Sequence, residues 1–393
     1  MISEGRVLSV GTATREAIRA LPRGSLVAAD GKWILPGFVD AHVHAESEAD
    51  LKAMLHWGVT TVRLMAEDTA AAQRLAAASA ARSDIPEVVP AAPIFTTKGG
   101  WWGRDEPIDP NVDRFASSPA DGRVAVRKAS VLGSREIKLM WDDMGWCRDP
   151  WPRLKKIDPP VARALIEEAR RQGMRASVHA PRLADAKEAL GAGATALAHG
   201  VIEAIDDATI ALMRTRPVFY LPTMDIFEFL ADTRAFVDSV LADPRAVTGL
   251  PAATVARYRS PTYAADYRRR YPNFEDLRRR LPALRDNLRR LHAAGVPIAL
   301  GTDMWAFPGL GVSIEMDLYA RAGLGALEVL RAATRTAAHS LGLEKDRGTL
   351  VRGQRADFVV LSADPIADVR NVRAIAAVYK NGRAVHREAT RGR

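Results

Sequence analysis

The sequence predicts an α/β protein: a (β/α)8 TIM barrel with a small β-sandwich domain formed from the N- and C-terminal segments. Three observations predict it. Eight short apolar runs, at 38–44, 60–65, 87–95, 136–141, 175–179, 195–199, 217–223 and 297–302, alternate with helical stretches. Such alternation implies a parallel sheet covered on both faces, and eight units suggest closure into a barrel. Residues 1–35 and 347–393 are instead rich in short strands and turns. Finally, metal-competent side chains stand at the ends of five of the runs: His42 and His44, Lys138, His179, His199 and Asp303. An open, doubly wound sheet is the competing arrangement.

Taken in order, GRVLSVG opens the chain as a strand. No secretory leader is expected at residue 1, and the N-terminal part is short, as if a strand or two were missing upstream. The turn-forming Pro36-Gly37 precedes the first barrel strand, and the helical stretch DLKAMLHWG follows it. An alanine-rich helix is expected over 69–82, between the second and third strands. The long connection 96–135 follows the third strand and contains GGWWGRDEP. DPPVARALIEEARRQG supplies the helix before the fifth strand, and the second long connection, 224–296, follows the seventh. Long insertions at the C-terminal ends of barrel strands lie over the active-site face, so both are candidate lids. The barrel is expected to span 36–346, and 1–35 plus 347–393 to form the small domain. There ADFVVLS, AIAAVYK and RAVHRE read as strands, with Asn381-Gly382 as a hairpin turn.

Bulk composition narrows the class. A chain of 393 residues, 48% hydrophobic and 26% charged, can bury a large core. No apolar run approaches the ~20 residues that span a bilayer. The single cysteine, Cys147, excludes an internal disulfide framework and fits a cytoplasmic protein. The net charge of +9 raises nucleic acid as a partner. However, the arginines at 278–280, 285, 289 and 290 are interleaved with Glu275, Asp276 and Asp286, as on a solvated helix face.

Each candidate ligand has an ordinary reading beside the functional one. Residues two apart on a strand point the same way, so His42 and His44 can reach one metal, although HxH alone is weak. His179 and His199, taken singly, read as hydrogen-bonded interior histidines. On adjacent strands about 4.8 Å apart they can share a second ion. Asp303 in GTDM reads as a helix cap, or as a carboxylate beside the first strand, since strand eight pairs with strand one in a barrel. Lys138, between Ile137 and Leu139, is the sharpest clue. Burial favours the neutral amine, which can add carbon dioxide to form a metal-bridging carbamate; an ion pair is the alternative.

Together these segments resemble the amidohydrolase superfamily, in particular its imidazolonepropionase-related and prolidase-like branch. The likeness runs from GRVLSVG and LPGFVDAHVH through GVTTVR to GTLVRGQRADFVVL and VYKNGR. It implies a hydrolase with two divalent metal ions, zinc being the expected metal. His42, His44 and Asp303 would hold one ion and His179 and His199 the other, with carboxylated Lys138 and a hydroxide between them. It also implies cleavage of an amide, peptide-like, ester or carbamate bond, with Asp303 moving the proton. Departures matter too. Prolidase-like members often read Gly-Gly-His after the third strand; here Gly99-Gly100 is followed by Trp101 and Trp102, which counts against a dipeptide substrate. Trp101, Trp102, Arg104, Tyr220 and Thr223 are the candidate substrate contacts.

The alternative function is a mononuclear deaminase or cyclic amide hydrolase of the imidazolone type. Deaminases of the superfamily place a glutamate a few residues after the strand-five histidine. Here none follows His179 before Glu188. A barrel that has lost its site would lack several ligands, and all are present. The expected partner is a small-molecule substrate rather than nucleic acid or membrane, and a homo-oligomer is expected, with the arginine-rich insertion as a candidate interface.

Overall fold

The computed structural model describes residues 1–393 except 23–24, 46, 66–67, 92, 102–113, 149–151, 217 and 388–393. Strands Phe38–Val43, Val59–Met65 and Glu87–Ala91 form one parallel sheet. A second runs through Ile94–Phe95, Glu136–Met140, Arg175–His179, Ala196–Leu197 and Phe219–Tyr220. Two seams join them. The third predicted strand serves both sheets: its start pairs with Val59–Met65, and its end pairs with Glu136–Met140, Ile94 lying opposite Lys138. At the other seam Ile298 bridges Tyr220, Ala41 N–H donates to Leu300 O (2.9 Å), and Asp303 N–H donates to His42 O (2.8 Å). The eighth segment therefore lies between strand seven and strand one, and the eight parallel segments form a ring.

Regular pairing in strands six, seven and eight is shorter than the sequence predicts. It is reduced to two residues, two residues and a single bridge. The ladder continues through isolated bonds, Ala198 N–H to Val178 O and Leu221 N–H to Leu197 O, both 2.9 Å. It then breaks where the backbone turns left-handed, at Thr223 (φ 44°) and Asp303 (φ 54°). Non-glycine residues in that region carry strain and concentrate at functional sites.

The chain ends meet in an antiparallel sheet ordered Arg383–Arg387, Ile375–Lys380, Phe358–Leu361, Trp33–Pro36. The N-terminal hairpin, Ile2–Ser3 with Arg6–Val7, joins through Arg6 and Arg355. Val7, Val360 and the stacked pair Phe358–Tyr379 (centroids 4.4 Å apart) make a small separate core. Asn381 and Gly382 both take positive φ, 51° and 73°, between the paired Lys380 and Arg383. This is the type I′ geometry that Asn-Gly favours.

Lys380, fully buried just before that turn, ties this sheet to the barrel. Its ammonium donates to Ser79 O, Arg82 O and Ile85 O at 3.3, 2.9 and 2.7 Å. These carbonyls follow or end helix Thr69–Ala80. Lys380→Met strips three buried acceptors of their donor. The expected result is a loss of about 2–4 kcal/mol in denaturant unfolding; an unchanged midpoint would show that water replaces the ammonium.

The second long connection is helical: Met224–Ala231, Thr233–Leu241, Pro244–Thr248, Ala252–Arg259, Pro261–Arg270 and Phe274–Ala293. The arginines of the last of these helices are paired with carboxylates: Arg278 with Asp232, Arg279 and Arg280 with Asp276, Arg285 with Glu228, Arg289 with Asp286, and Arg290 with Asp207. Buried Asn287 accepts from Ile205 N–H (2.9 Å) and donates to Val201 O and Glu203 O (both 2.8 Å). It thereby clamps the loop that follows His199. No helix among the described residues is long and apolar enough to cross a membrane.

Candidate active site

The first strand carries Asp40 and His42 on alternate positions, and therefore on one face, with His44 just beyond its end. Asp40 is buried and accepts from His42 N–H and Thr302 N–H (both 3.1 Å) and from the Thr302 hydroxyl (2.7 Å). It fastens strand eight to strand one just below the histidines. Gly301 permits the close approach, since a Cβ there would lie 2.8 Å from His42 Cβ. Asp303 then reaches back: its Oδ1 lies 3.7 Å from His42 Nε2 and 3.4 Å from His44 Nε2. One ligand atom from each of these three residues lies within 4.8 Å of the others.

The same alternation places Glu136 two residues before Lys138, and Ser177 two before His179. Glu136 accepts a bidentate pair from buried Arg63 (2.8 and 3.0 Å) and a hydrogen bond from the Ser177 hydroxyl. Arg63 also donates from Nε to Ala41 O at 2.7 Å. An ionic layer thus lies one step below the histidines and cross-links strands one, two, four and five. Above it, Lys138 Nζ is buried without a hydrogen-bond partner.

Each of three imidazoles has one nitrogen committed to the protein. His42 Nδ1 lies 2.9 Å from Ala198 O, which requires the proton on Nδ1. Its Nε2 is buried and unpartnered. His179 Nε2 lies 3.0 Å from Asp142 Oδ2, which also accepts from Trp146 Nε1 (2.7 Å). His199 Nδ1 lies 2.9 Å from the Thr223 hydroxyl. The rings of His179 and His199 are 4.4 Å apart, and those of His42 and His199 are 4.7 Å apart. Fixing one nitrogen through a carbonyl, carboxylate or hydroxyl orients the other for a metal.

Burial sets the charge states. It lowers His42, His44, His179 and His199, so all four are neutral near pH 7, as ligation requires. It raises Asp303 and lowers Lys138, each opposed by attraction to the other. Burial works against the Asp142 carboxylate, but its hydrogen bonds with His179 and Trp146 hold it below the usual range. The donor set of imidazoles, a carboxylate and an unpartnered amine fits divalent cations. The orphaned polar atoms argue further for a ligand, since burying them unmatched is costly.

A cavity of about 190 Å³ opens above this set, lined by His44, Lys138, His179, His199 and Asp303. His42 lies behind the lining. Most of the remaining wall is apolar: Ile94, Met140, Met144, Trp146, Ile226, Phe227, Leu230 and Trp305. Of the other candidate substrate contacts, Trp101 is among the lining residues, whereas Trp102 and Arg104 lie outside the described residues. Two predicted substrate contacts need correction. Tyr220 is fully buried and outside the lining, with its hydroxyl accepting from Val201 N–H (3.0 Å). Thr223 is also fully buried, and its hydroxyl serves His199. Sequence reasoning missed Asp40, Arg63, Glu136 and Asp142. Asp40 and Glu136 were findable as charges two residues before a ligand, and Arg63 as a charge inside an apolar strand.

A family model described as the amidohydrolase family matches residues 33–385. Ochratoxinase from Aspergillus niger is 27% identical over 303 residues, 76% of this chain and 54% of the relative. The chain thus spans about half the length of that curated relative. The crystal structure of A. niger ochratoxinase superposes with a TM-score of 0.71 at 21% identity, covering 99% of this chain and 91% of that one. A putative prolidase from Bifidobacterium longum gives a TM-score of 0.74 at 22% identity, covering 98% and 88%. A Xaa-Pro dipeptidase with bound methionine gives 0.69 at 21%, covering 91% and 87%. These likenesses establish the shared fold.

Proposed function

The chain belongs to the amidohydrolase family, and on that premise we propose that it is a metal-dependent hydrolase of an amide, peptide-like, ester or carbamate bond. One observation carries this reading. Neutral imidazoles, each of three pinned by one nitrogen, converge with Asp303 and an unpartnered amine beside an apolar cavity.

In this reading His42, His44 and Asp303 would hold one divalent ion, and His179 and His199 would hold a second. Lys138 joins them as a carbamate: its neutral amine forms an N–C bond to carbon dioxide and releases a proton. Divalent ions held there, zinc being the expected metal, would supply Lewis-acid chemistry and acidify a bound water. The remaining work belongs to the chain. Asp303 takes a proton and returns it to the leaving nitrogen or oxygen. Asp142 and Thr223 hold His179 and His199 in register. The aromatic walls exclude bulk water and bind the apolar body of the substrate.

Removing the metals with a chelator is expected to lower turnover of N-acyl amino acid, ester and carbamate probes by at least about 100-fold. Zinc with bicarbonate should restore it. Turnover that survives complete metal removal would contradict the assignment.

Metal affinity should also depend on pH with a definite sign. In the metal-free protein Asp303 is raised and Lys138 lowered, both to about 7. Below that pH Asp303 gains a proton that a metal must displace, and Lys138 becomes an ammonium that cannot form a carbamate. Affinity in calorimetric zinc titrations should level off above pH 7. Below it, affinity should fall by about tenfold per pH unit for each proton. A flat profile between pH 5.5 and 7.5 would show that neither proton is linked to binding.

A further inference from the structure

One charged group outside the ligand set lines the cavity among the described residues: Arg270. It ends helix Pro261–Arg270, within a run of three arginines, 268–270. The structure separates the three. Arg268 lies over the Phe274 ring (4.8 Å) and Arg269 pairs with Asp266. Arg270 lies 5.6 Å from the centroid of Tyr271 and forms no ion pair among the described residues. Tyr271 stacks on Tyr267 (6.5 Å, interplanar angle 11°), and the Tyr267 hydroxyl accepts from Trp305 Nε1 (2.8 Å). Trp305 lies two residues after Asp303. An aromatic brace thus connects this cation to the strand-eight loop that carries Asp303.

The rest of the wall is apolar, and Asp303 is the one carboxylate among the described lining residues. Guanidinium presents a planar fork that matches a carboxylate. Among the described lining residues a substrate ammonium would meet no free counter-charge, because Asp303 is committed to the proposed ligand set. Resting on the hydrolase reading above, we propose that Arg270 determines specificity. The site takes an N-acylated apolar amino acid, with the free carboxylate on Arg270 and the side chain against the aromatic wall, and it disfavours free dipeptides. Hydrolysis breaks the acyl C–N bond. Water's oxygen goes to the acyl carbon and a proton to the nitrogen, releasing a carboxylic acid and the free amino acid.

The test compares three probes with zinc-loaded protein: N-acetylphenylalanine, its C-terminal methylamide, and alanyl-phenylalanine. Wild type should favour the first over each of the others by about tenfold or more in kcat/KM, the effect of one charge-assisted contact. Arg270→Gln should bring the ratio of the first to the methylamide near one, mainly through KM, and Arg270→Lys should restore part of it. Equilibrium binding of N-acetylphenylalanine, read by tryptophan fluorescence, should weaken about tenfold in Arg270→Gln. Turnover without preference for the carboxylate, or a preference that survives Arg270→Gln, overturns the assignment of Arg270. Absent turnover with Arg270-dependent binding removes the hydrolase reading and leaves the anion site standing. Absence of both removes both.

Discussion

Asp303→Asn is expected to lower kcat by about 10³-fold in metal-replete protein while changing KM by less than about threefold. The substitution suits the backbone. Asp303 sits at φ 54°, a region that asparagine also tolerates, and its N–H bond to His42 O is retained. The Asp40–Thr302 clasp below it does not involve the changed group. What is lost is the carboxylate that faces His42 and His44 and that would accept the proton in the proposed mechanism. The carboxylate is also a proposed metal ligand, so metal content must be measured on the same sample. A kcat within tenfold of wild type, with metal at the wild-type level, would remove Asp303 from the proton path.

Lys138→Met should move stability and activity in opposite directions. The lysine amine is buried among imidazoles with no hydrogen-bond partner, and burial lowers its affinity for protons. A group whose folded-state pKa lies below its unfolded value destabilises the fold at every pH below that unfolded value. Methionine has similar reach and no charge, so the metal-free variant should melt several degrees above metal-free wild type. Its metal content should fall to about one per chain, and kcat/KM should fall by about 10³-fold. The opposite pattern, lower stability with activity kept, would make Lys138 an ion-pair partner of Asp303 or Glu136. Stability given up at a functional position is the expected signature of a site.

Much of this arrangement was legible because β-strands alternate. The spacing of His42 and His44 placed both on one face, and the same parity would have added Asp40 and Glu136, while Arg63 stands out only as a charge inside an apolar strand. Those residues were passed over because a charge inside an apolar strand reads most simply as an edge or an outlier. Here it is paired across the barrel interior, which only the closed ring makes visible. Asp142 lies beyond the end of its strand, where no periodicity marks it, and its partner His179 is 37 residues away. Tyr220 and Thr223 were placed near substrate because strand ends face the site. The left-handed turn at Thr223 instead directs its hydroxyl to His199. In the helical insertion the amphipathic spacing was readable, but the arginine that meets the cavity depends on how Pro261–Arg270 docks. Adjacent Arg268, Arg269 and Arg270 have three different environments.

The measurement that bears most directly on the binuclear hydrolase is metal content per chain, by elemental analysis of protein purified without chelator and reconstituted with zinc and bicarbonate. A value near two is expected for wild type, falling to about one in Lys138→Met. A value near one for wild type would contradict the bridged site, and no retained metal would contradict the metal-dependent hydrolase itself.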